Sequence, residues 1–240
     1  MNYCNKQKYT LNKNHGRNTI SLKKLIFPPI SDEKINQLMI DDESVKYITF
    51  NSSAQEITNI IMNSLMDFPA PENYENWHDQ PLNMKMKQLV ITEMTAGVGG
   101  NVINFAKYFK YINAIEIDPT RYSYLDKNIK LYGFDNVNCY NKDSINMLIE
   151  NDDLVQDIVF FDPPWGGKDY KLFVDLRLTF GKYSIEHICQ ILFQRKSNKM
   201  IVIKLPNNYD FTFLTEELKD FRVKKFVLER MTVVVMKNFN

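Results

Sequence analysis

Residues 157–170 read DIVFFDPPWGGKDY, and their order decides the fold. The run Ile158, Val159, Phe160, Phe161 is short, β-branched and aromatic, with no polar alternation, as in a parallel strand buried on both faces. Asp162 stands at its carboxyl end. Pro163 and Pro164 then hold the backbone extended. That stiff exit places Trp165 at the lip of a sheet, where open α/β folds bind their ligands.

The loop suits one chemistry. An exocyclic amino group on a base is a poor nucleophile, because its lone pair is delocalised into the ring. Two acceptors aimed at its N–H bonds can turn that lone pair outward. The Asp162 carboxylate and the Pro163 carbonyl are such acceptors on a rigid backbone. Trp165 offers a face on which a base can stack. The three together are predicted to be the catalytic set.

Working outward, strand-like and helix-like stretches alternate from residue 87. Strands are predicted at 89–91, 112–117, 137–140, 157–161 and 200–205, and helices at 100–109, 119–133, 184–194 and 211–218. Two further strand-like segments, 222–229 and 231–237, are consecutive. A doubly wound, mostly parallel seven-stranded α/β sheet closed by an antiparallel edge hairpin explains this pattern. Ahead of it lie predicted helices at 31–42 and 52–66, the second opening with a capping box of Ser52 and Gln55. Its Ile57, Ile60, Ile61 and Leu65 share one face. The expected organisation is a basic tail, 1–30, a small helical lobe and Pro/Asn-rich linker, 31–84, and an α/β domain, 85–240.

Composition narrows the class. The 240 residues carry a net charge of +1 and 44% hydrophobic residues, the balance of a soluble globular chain. The cysteines Cys4, Cys139 and Cys189 form no CxxC pair, so neither a zinc site nor a disulfide framework is expected, and the setting is predicted to be intracellular. No apolar run reaches membrane-spanning length. Before Asp32 stand Lys6, Lys8, Lys13, Arg17, Lys23 and Lys24 with no acid, which reads either as a solvated, disordered tail or as a phosphate-contacting arm.

Residues 93–101, EMTAGVGGN, join the first strand to its helix. The turn lacks the third glycine of a dinucleotide fingerprint and the Gly-Lys-Ser/Thr of a P-loop. An acid leading into it, Glu93, repels pyrophosphate but suits a cationic amino group, which favours S-adenosyl-L-methionine. Glu116, after the second strand, is placed to accept from a ribose diol. Asp118 is expected to cap the helix that starts at Pro119. Asp143 reads as an acceptor for an adenine amino group or as an ordinary helix cap.

This ordered set resembles the class I S-adenosylmethionine-dependent methyltransferases acting on base amino groups, and within them the trimethylguanosine synthases, which methylate N2 of the RNA cap guanine. The resemblance runs from about residue 50 to the C-terminus. It is carried by AGVGGN (96–101), AIEIDP (114–119), LYG (131–133) and PPWGGKDY (163–170). It implies that Glu93, Ala96, Gly97 and Gly99 hold the methionine part of the cofactor, with Asp162 beside it. It further implies Glu116 at the ribose, Asp143 at the adenine and Ser53 as a contact from the N-terminal lobe. Trp165 would stack on cationic 7-methylguanine, and Asn128 would face the cap phosphates.

The chain departs from the family pattern in places. Asp162 replaces a serine, Glu93 and Glu116 replace aspartates, and Lys168 replaces a proline. Asn207 stands where the family has a phosphate-directed arginine, with Lys204 or Lys168 the expected substitutes. Phe27 and Tyr47 are the candidates for an aromatic opposite Trp165.

The resemblance implies an enzyme, expected to be monomeric and metal-independent, acting on 7-methylguanosine-capped RNA in cytoplasm or nucleus, and compact as a viral or protist enzyme would be. Its product would be 2,7-dimethylguanosine, or 2,2,7-trimethylguanosine where a second methyl follows. The alternatives are another base-amino methyltransferase, acting on adenine N6 or guanine N2, and a catalytically silent cofactor-binding, RNA-binding subunit.

Overall fold

Met200, Val202 and their neighbours on one side, and Ile201, Ile203 and Leu205 on the other, enter two different apolar clusters. Successive side chains of a strand point to opposite faces, so a strand reading MIVIKL must be covered on both. The same split holds for Ile158 and Phe160 against Val159 and Phe161. This two-faced sheet organises the molecule.

A computed structural model describes residues 20–71, 74–150, 154, 156–195 and 198–239. The elements run α1 (Ile20–Ile26), α2 (Asp32–Gln37), α3 (Ser44–Tyr47), α4 (Asn51–Asn63), α5 (Leu82–Met86), β1 (Val90–Glu93), α6 (Val102–Phe105), β2 (Tyr111–Ile115), α7 (Pro119–Tyr132) and β3 (Val137–Tyr140). They continue with β4 (Ile158–Phe161), β5 (Thr179–Phe180), β6 (Tyr183–Ser184), α8 (Ile185–Gln194), β7 (Met200–Leu205), α9 (Phe211–Glu217), β8 (Arg222–Val227) and β9 (Thr232–Lys237). A π-helical turn (Ile145–Glu150) follows β3, and a 3-10 turn (Gly167–Leu172) follows β4.

The seven-stranded sheet has the order β3-β2-β1-β4-β7-β9-β8, parallel but for β9, which is antiparallel to both of its neighbours. The chain winds outward from β1 to β3, then returns to β4 on the other side of β1. The switch point between β1 and β4 opens a crevice at their carboxyl ends. In register, Glu93 of β1 lies opposite Phe160 of β4. The predicted cofactor acid and the predicted catalytic loop therefore emerge side by side.

Local signals behave as expected around α7. Asp118 accepts from the backbone N–H groups of Thr120 and Arg121, both at 2.9 Å, and Gly133 closes the helix at φ +74°. The apolar face of α4 buries Ile57, Ile60 and Ile61, and Leu65 just past its end is buried as well, each contributing about 1.5–3 kcal/mol. Its capping box is not formed, however. Phe50 is the N-cap and no side chain caps the helix, because the helix starts one residue before Ser52 becomes available for that role.

The N-terminal expectations need correction. Residues 20–30 are not a loose tail: α1 packs in, and Ile26 and Phe27 are fully buried. Tyr132 donates to the Pro28 carbonyl at 2.6 Å, and Lys34 to the Leu131 carbonyl at 2.9 Å, so the segment is stapled along α7. Residues 1–19, with most of the predicted basic arm, lie outside the described residues. The expected linker 67–84 also packs in. Trp77 is buried, donates to the Phe68 carbonyl at 2.6 Å, and shares the core with Met86 and Leu89.

Candidate active site

The site starts with backbone geometry. Gly97 takes φ +54° between β1 and α6, with no atom within 4 Å of where a Cβ would stand, so the turn leaves an open cradle there. Gly100 has the opposite reason to be glycine. A Cβ there would lie 2.7 Å from Ile48 Cγ1 and 3.0 Å from the Thr49 carbonyl oxygen. The N-terminal segment before α4 thus rests directly on the turn. Gly99 packs toward Leu125 and Ile103, and Ala96 donates its N–H to the Ile115 carbonyl at 2.9 Å. Ser53 lies in the first turn of α4, half-buried, a few residues beyond this contact.

Glu93 is buried at the end of β1. Its Oε1 accepts from Asn101 Nδ2 at 3.3 Å, while Oε2 has no partner in the described structure. Burial pushes the carboxyl up to about 8, with the Asp162 charge adding to the rise and Asn101 and Lys204 opposing it. Glu116 is tied down more firmly. Its two oxygens accept from the Gly97 and Asp118 backbone N–H groups, both at 2.8 Å. Burial raises its carboxyl above the ordinary value against those two hydrogen bonds.

Across the crevice, the Asp162 backbone N–H donates to Thr95 Oγ1 at 2.9 Å, pinning the loop after β4 to the loop after β1. The Asp162 carboxylate receives Lys204 Nζ at 2.5 Å, with side-chain exposures of 18% and 6% that mark a largely desolvated pair. Burial raises this carboxyl, opposed first by Lys204. Pro163 is buried and Pro164 exposed. The Trp165 ring sits edge-on to Tyr170, centroids 5.1 Å apart, with Lys204 Nζ 5.2 Å from its own centroid. Its indole nitrogen has no well-formed hydrogen bond, although it stands close enough to Asp162 to favour the ionised carboxyl. From Trp165 a cleft of about 710 Å³ runs past Gly166, Phe173 and Val174 to Arg177.

Other expected contacts fall elsewhere. Asn128 is completely buried: its amide donates to the Met39 and Val98 carbonyls at 2.8 and 2.9 Å and accepts from the Met39 N–H at 2.8 Å. It fastens the N-terminal segment to the glycine turn and cannot face a phosphate. Lys204 is likewise committed to Asp162 and to Thr49 Oγ1, at 3.1 Å, so it does not replace the missing arginine. Asn207 pins the β8–β9 hairpin through the Leu228 carbonyl, at 3.2 Å, and the Thr232 hydroxyl, at 2.9 Å. Lys168 remains exposed on the 3-10 turn. Phe27 is in the core and is excluded as a stacking partner; Tyr47 is 56% exposed. Asp143 caps the turn after β3 through the Ile145 N–H at 2.8 Å and keeps an exposed side chain.

Thr49, Thr95 and Asn101 were not singled out by sequence reasoning. Thr95 and Asn101 lie inside the glycine-turn motif and could have been found there. Thr49 carries no local signal. Among the described residues there is no cluster of acids, histidines and cysteines fit for a metal ion, and no helix long and apolar enough to cross a membrane.

The switch-point crevice, the glycine turn, the acids after β1 and β2 and the DPPW loop define a Rossmann-like class I methyltransferase. Solved structures agree on the fold. A human methyltransferase 10 domain containing protein superposes with TM-score 0.54 at 13% identity, over 83% of this chain and 88% of that one. A T. thermophilus 16S rRNA N2 methyltransferase, solved with AdoMet and guanosine, gives TM-score 0.54 at 11% identity, over 84% of this chain and 44% of that one.

The family model described as RNA cap guanine-N2 methyltransferase matches residues 88–239, and the chain belongs to that family. A protein of Acanthamoeba polyphaga mimivirus is 59% identical over 224 residues, 92% of this chain and 88% of its own length. The trimethylguanosine synthase of Schizosaccharomyces pombe is 28% identical over 125 residues, 50% of this chain and 45% of that protein. The matched region thus spans less than half of that synthase.

Proposed function

We propose that this methyltransferase transfers a methyl group from S-adenosyl-L-methionine to the exocyclic N2 of a 7-methylguanosine RNA cap, forming 2,7-dimethylguanosine, which a second transfer would convert to 2,2,7-trimethylguanosine. The observation that carries this reading is the loop after β4. It holds a desolvated carboxylate and a half-exposed tryptophan on one rigid Pro-Pro frame, beside the glycine turn.

The residues present fit the cofactor. A buried carboxylate with one unpartnered oxygen, Glu93, suits its ammonium group. The open cradle at Gly97 admits close approach, and Glu116, hydrogen-bonded to that same glycine, would accept from the ribose diol. Ser53, from the N-terminal lobe, and Asp143, at the adenine, are the further candidates for cofactor contacts. When bound, S-adenosylmethionine supplies an electrophilic methyl group on a sulfonium.

On the substrate side, Asp162 and the Pro163 carbonyl accept the two N–H bonds of the amino group and orient its lone pair. Asp162 would also accept the proton that nitrogen must lose. Trp165 stacks on the cationic base, a contact of about 1–2 kcal/mol, and the adjoining cleft leaves room for a nucleotide. Exposed Lys168 stands at the mouth of that loop as a phosphate contact.

Methyl incorporation into 7-methylated and unmethylated guanosine cap dinucleotides tests the assignment. Transfer to the 7-methylated dinucleotide is expected, with N2 as the modified atom. Transfer only to uncapped RNA would favour another base-amino substrate, and no transfer to any RNA a silent subunit.

A further inference from the structure

Lys204 is a buried lysine with no place in the chemistry above. It lies on β7, next to β4, and its ammonium touches Asp162 Oδ2 at 2.5 Å and Thr49 Oγ1 at 3.1 Å. A buried cation costs several kcal/mol unless paired, and so does a buried carboxylate. Each therefore fixes the other. An ammonium can swing among partners, however, and the Thr49 hydroxyl removes that freedom from the side of the N-terminal segment. Thr49 is itself buried and held against the glycine turn, where its carbonyl oxygen approaches Gly100 and its hydroxyl lies 3.4 Å from Asn101 Nδ2.

We infer that Lys204, anchored by Thr49, is a positioning residue that keeps the Asp162 carboxylate ionised and fixed as the acceptor for the base amino group. The inference rests on the proposed function and deepens it. With Oδ2 taken by Lys204, Oδ1 is the oxygen left for the substrate. A protonated Asp162 would have one acceptor fewer and a proton in the wrong place. Among the described residues, the ionisable groups coupled to this carboxyl are Lys204 from β7 and Glu93 from β1, the latter coupled in turn to Glu116 after β2. Of these, Lys204 alone is a cation. The arrangement also ties the reaction centre to the N-terminal segment, since Thr49 and Lys204 are 155 residues apart in sequence.

The test compares wild type, Lys204→Met and Thr49→Val in methyl transfer to a 7-methylguanosine cap dinucleotide across pH. In Lys204→Met, kcat at neutral pH is expected to fall about tenfold to a hundredfold, the range for a displaced reacting group. The acid limb of its kcat–pH profile should move up by about 1–3 pH units, the usual effect of losing a neighbouring opposite charge. Cofactor affinity should change little by comparison. Thr49→Val keeps both charges, so its kcat should fall several-fold, by about the same factor at each pH.

A second readout needs no substrate: the side-chain carboxyl 13C shift of Asp162, identified by its loss in Asp162→Asn, titrated with and without Lys204. Its midpoint should rise in Lys204→Met. A Lys204→Met profile parallel to wild type, or an unmoved Asp162 midpoint, overturns the inference. If Lys204→Met does not fold, a Thr49→Val kcat equal to wild type does so. A wild-type chain inactive on every capped dinucleotide sinks the proposed function instead, and the carboxyl titration still decides whether Lys204 governs Asp162.

Discussion

Gly100 and Ile48 stand so close that a methyl group added at Gly100 would lie 2.7 Å from Ile48 Cγ1. The Thr49 carbonyl, at 3.0 Å, blocks the same space with backbone, which cannot swing away. Gly100→Ala should therefore push the N-terminal segment off the turn, at about 1–3 kcal/mol as for other overpacked sites. Thermal melts would show it, and weaker cofactor binding should accompany the loss. Gly97→Ala meets no atoms, so its cost is the backbone strain of φ +54°, about 1 kcal/mol. Equal melting temperatures for Gly100→Ala and wild type would mean the segment is not seated on the turn in solution.

Glu93 should trade stability for binding. Its carboxyl is raised to about 8 in the folded chain, above an unfolded value of 4.5. The folded state thus binds the proton more tightly. Its stabilising contribution is present below pH 4.5 and is lost as pH rises from there through about 8. Glu93→Gln removes this loss, so the cofactor-free variant should melt higher than wild type at pH 8 and similarly at pH 5. Each kcal/mol gained corresponds to about 2–4 °C. The same variant should bind S-adenosylmethionine at least about tenfold more weakly, by loss of a charge-assisted hydrogen bond. A lower melting temperature at pH 8, or unchanged affinity by titration calorimetry, would remove Glu93 from this role.

Trp165 should distinguish charged from neutral bases. Trp165→Ala is expected to weaken binding of a 7-methylated cap analogue by about 1–3 kcal/mol and cofactor binding far less. An unmethylated analogue lacks the positive charge and should bind wild type less well, while the variant narrows that gap. A two-by-two cycle of analogue against variant measures the coupling. A coupling energy of zero would mean that Trp165 does not read the charge. Lys204 lies 5.2 Å from the ring centroid, so the base is expected on the face away from it.

Asn128 should behave as a structural residue. Replacing it with alanine strands the Met39 N–H and the Met39 and Val98 carbonyls, at about 1–3 kcal/mol for each buried group left unsatisfied. Denaturant unfolding would report the loss. The salt dependence of capped-RNA binding should keep its wild-type slope, because no phosphate contact is removed. A flatter slope would restore the phosphate role.

What the sequence determined by itself was set by short-range chemistry. Apolar runs such as IVFF and MIVIKL mark strands covered on both faces, Asp118-Pro119 marks a helix start, and the Pro-Pro pair fixes the exit from β4. Each depends only on residues a few positions apart, so the sheet, its edge hairpin and the glycine-turn and DPPW loops were legible. The tertiary structure alone decided which polar residues would meet. Asn128 and Lys204 carry residue types suited to a ligand, yet an N-terminal segment folded across α7 and the glycine turn buries them, and that segment carries its own Phe27 into the core. Lys204 finds Asp162 and Thr49 at separations of 42 and 155 residues, through strand pairing and a close approach at Gly100. No periodicity or propensity encodes such pairs, because burial and charge balance act across space rather than along the chain.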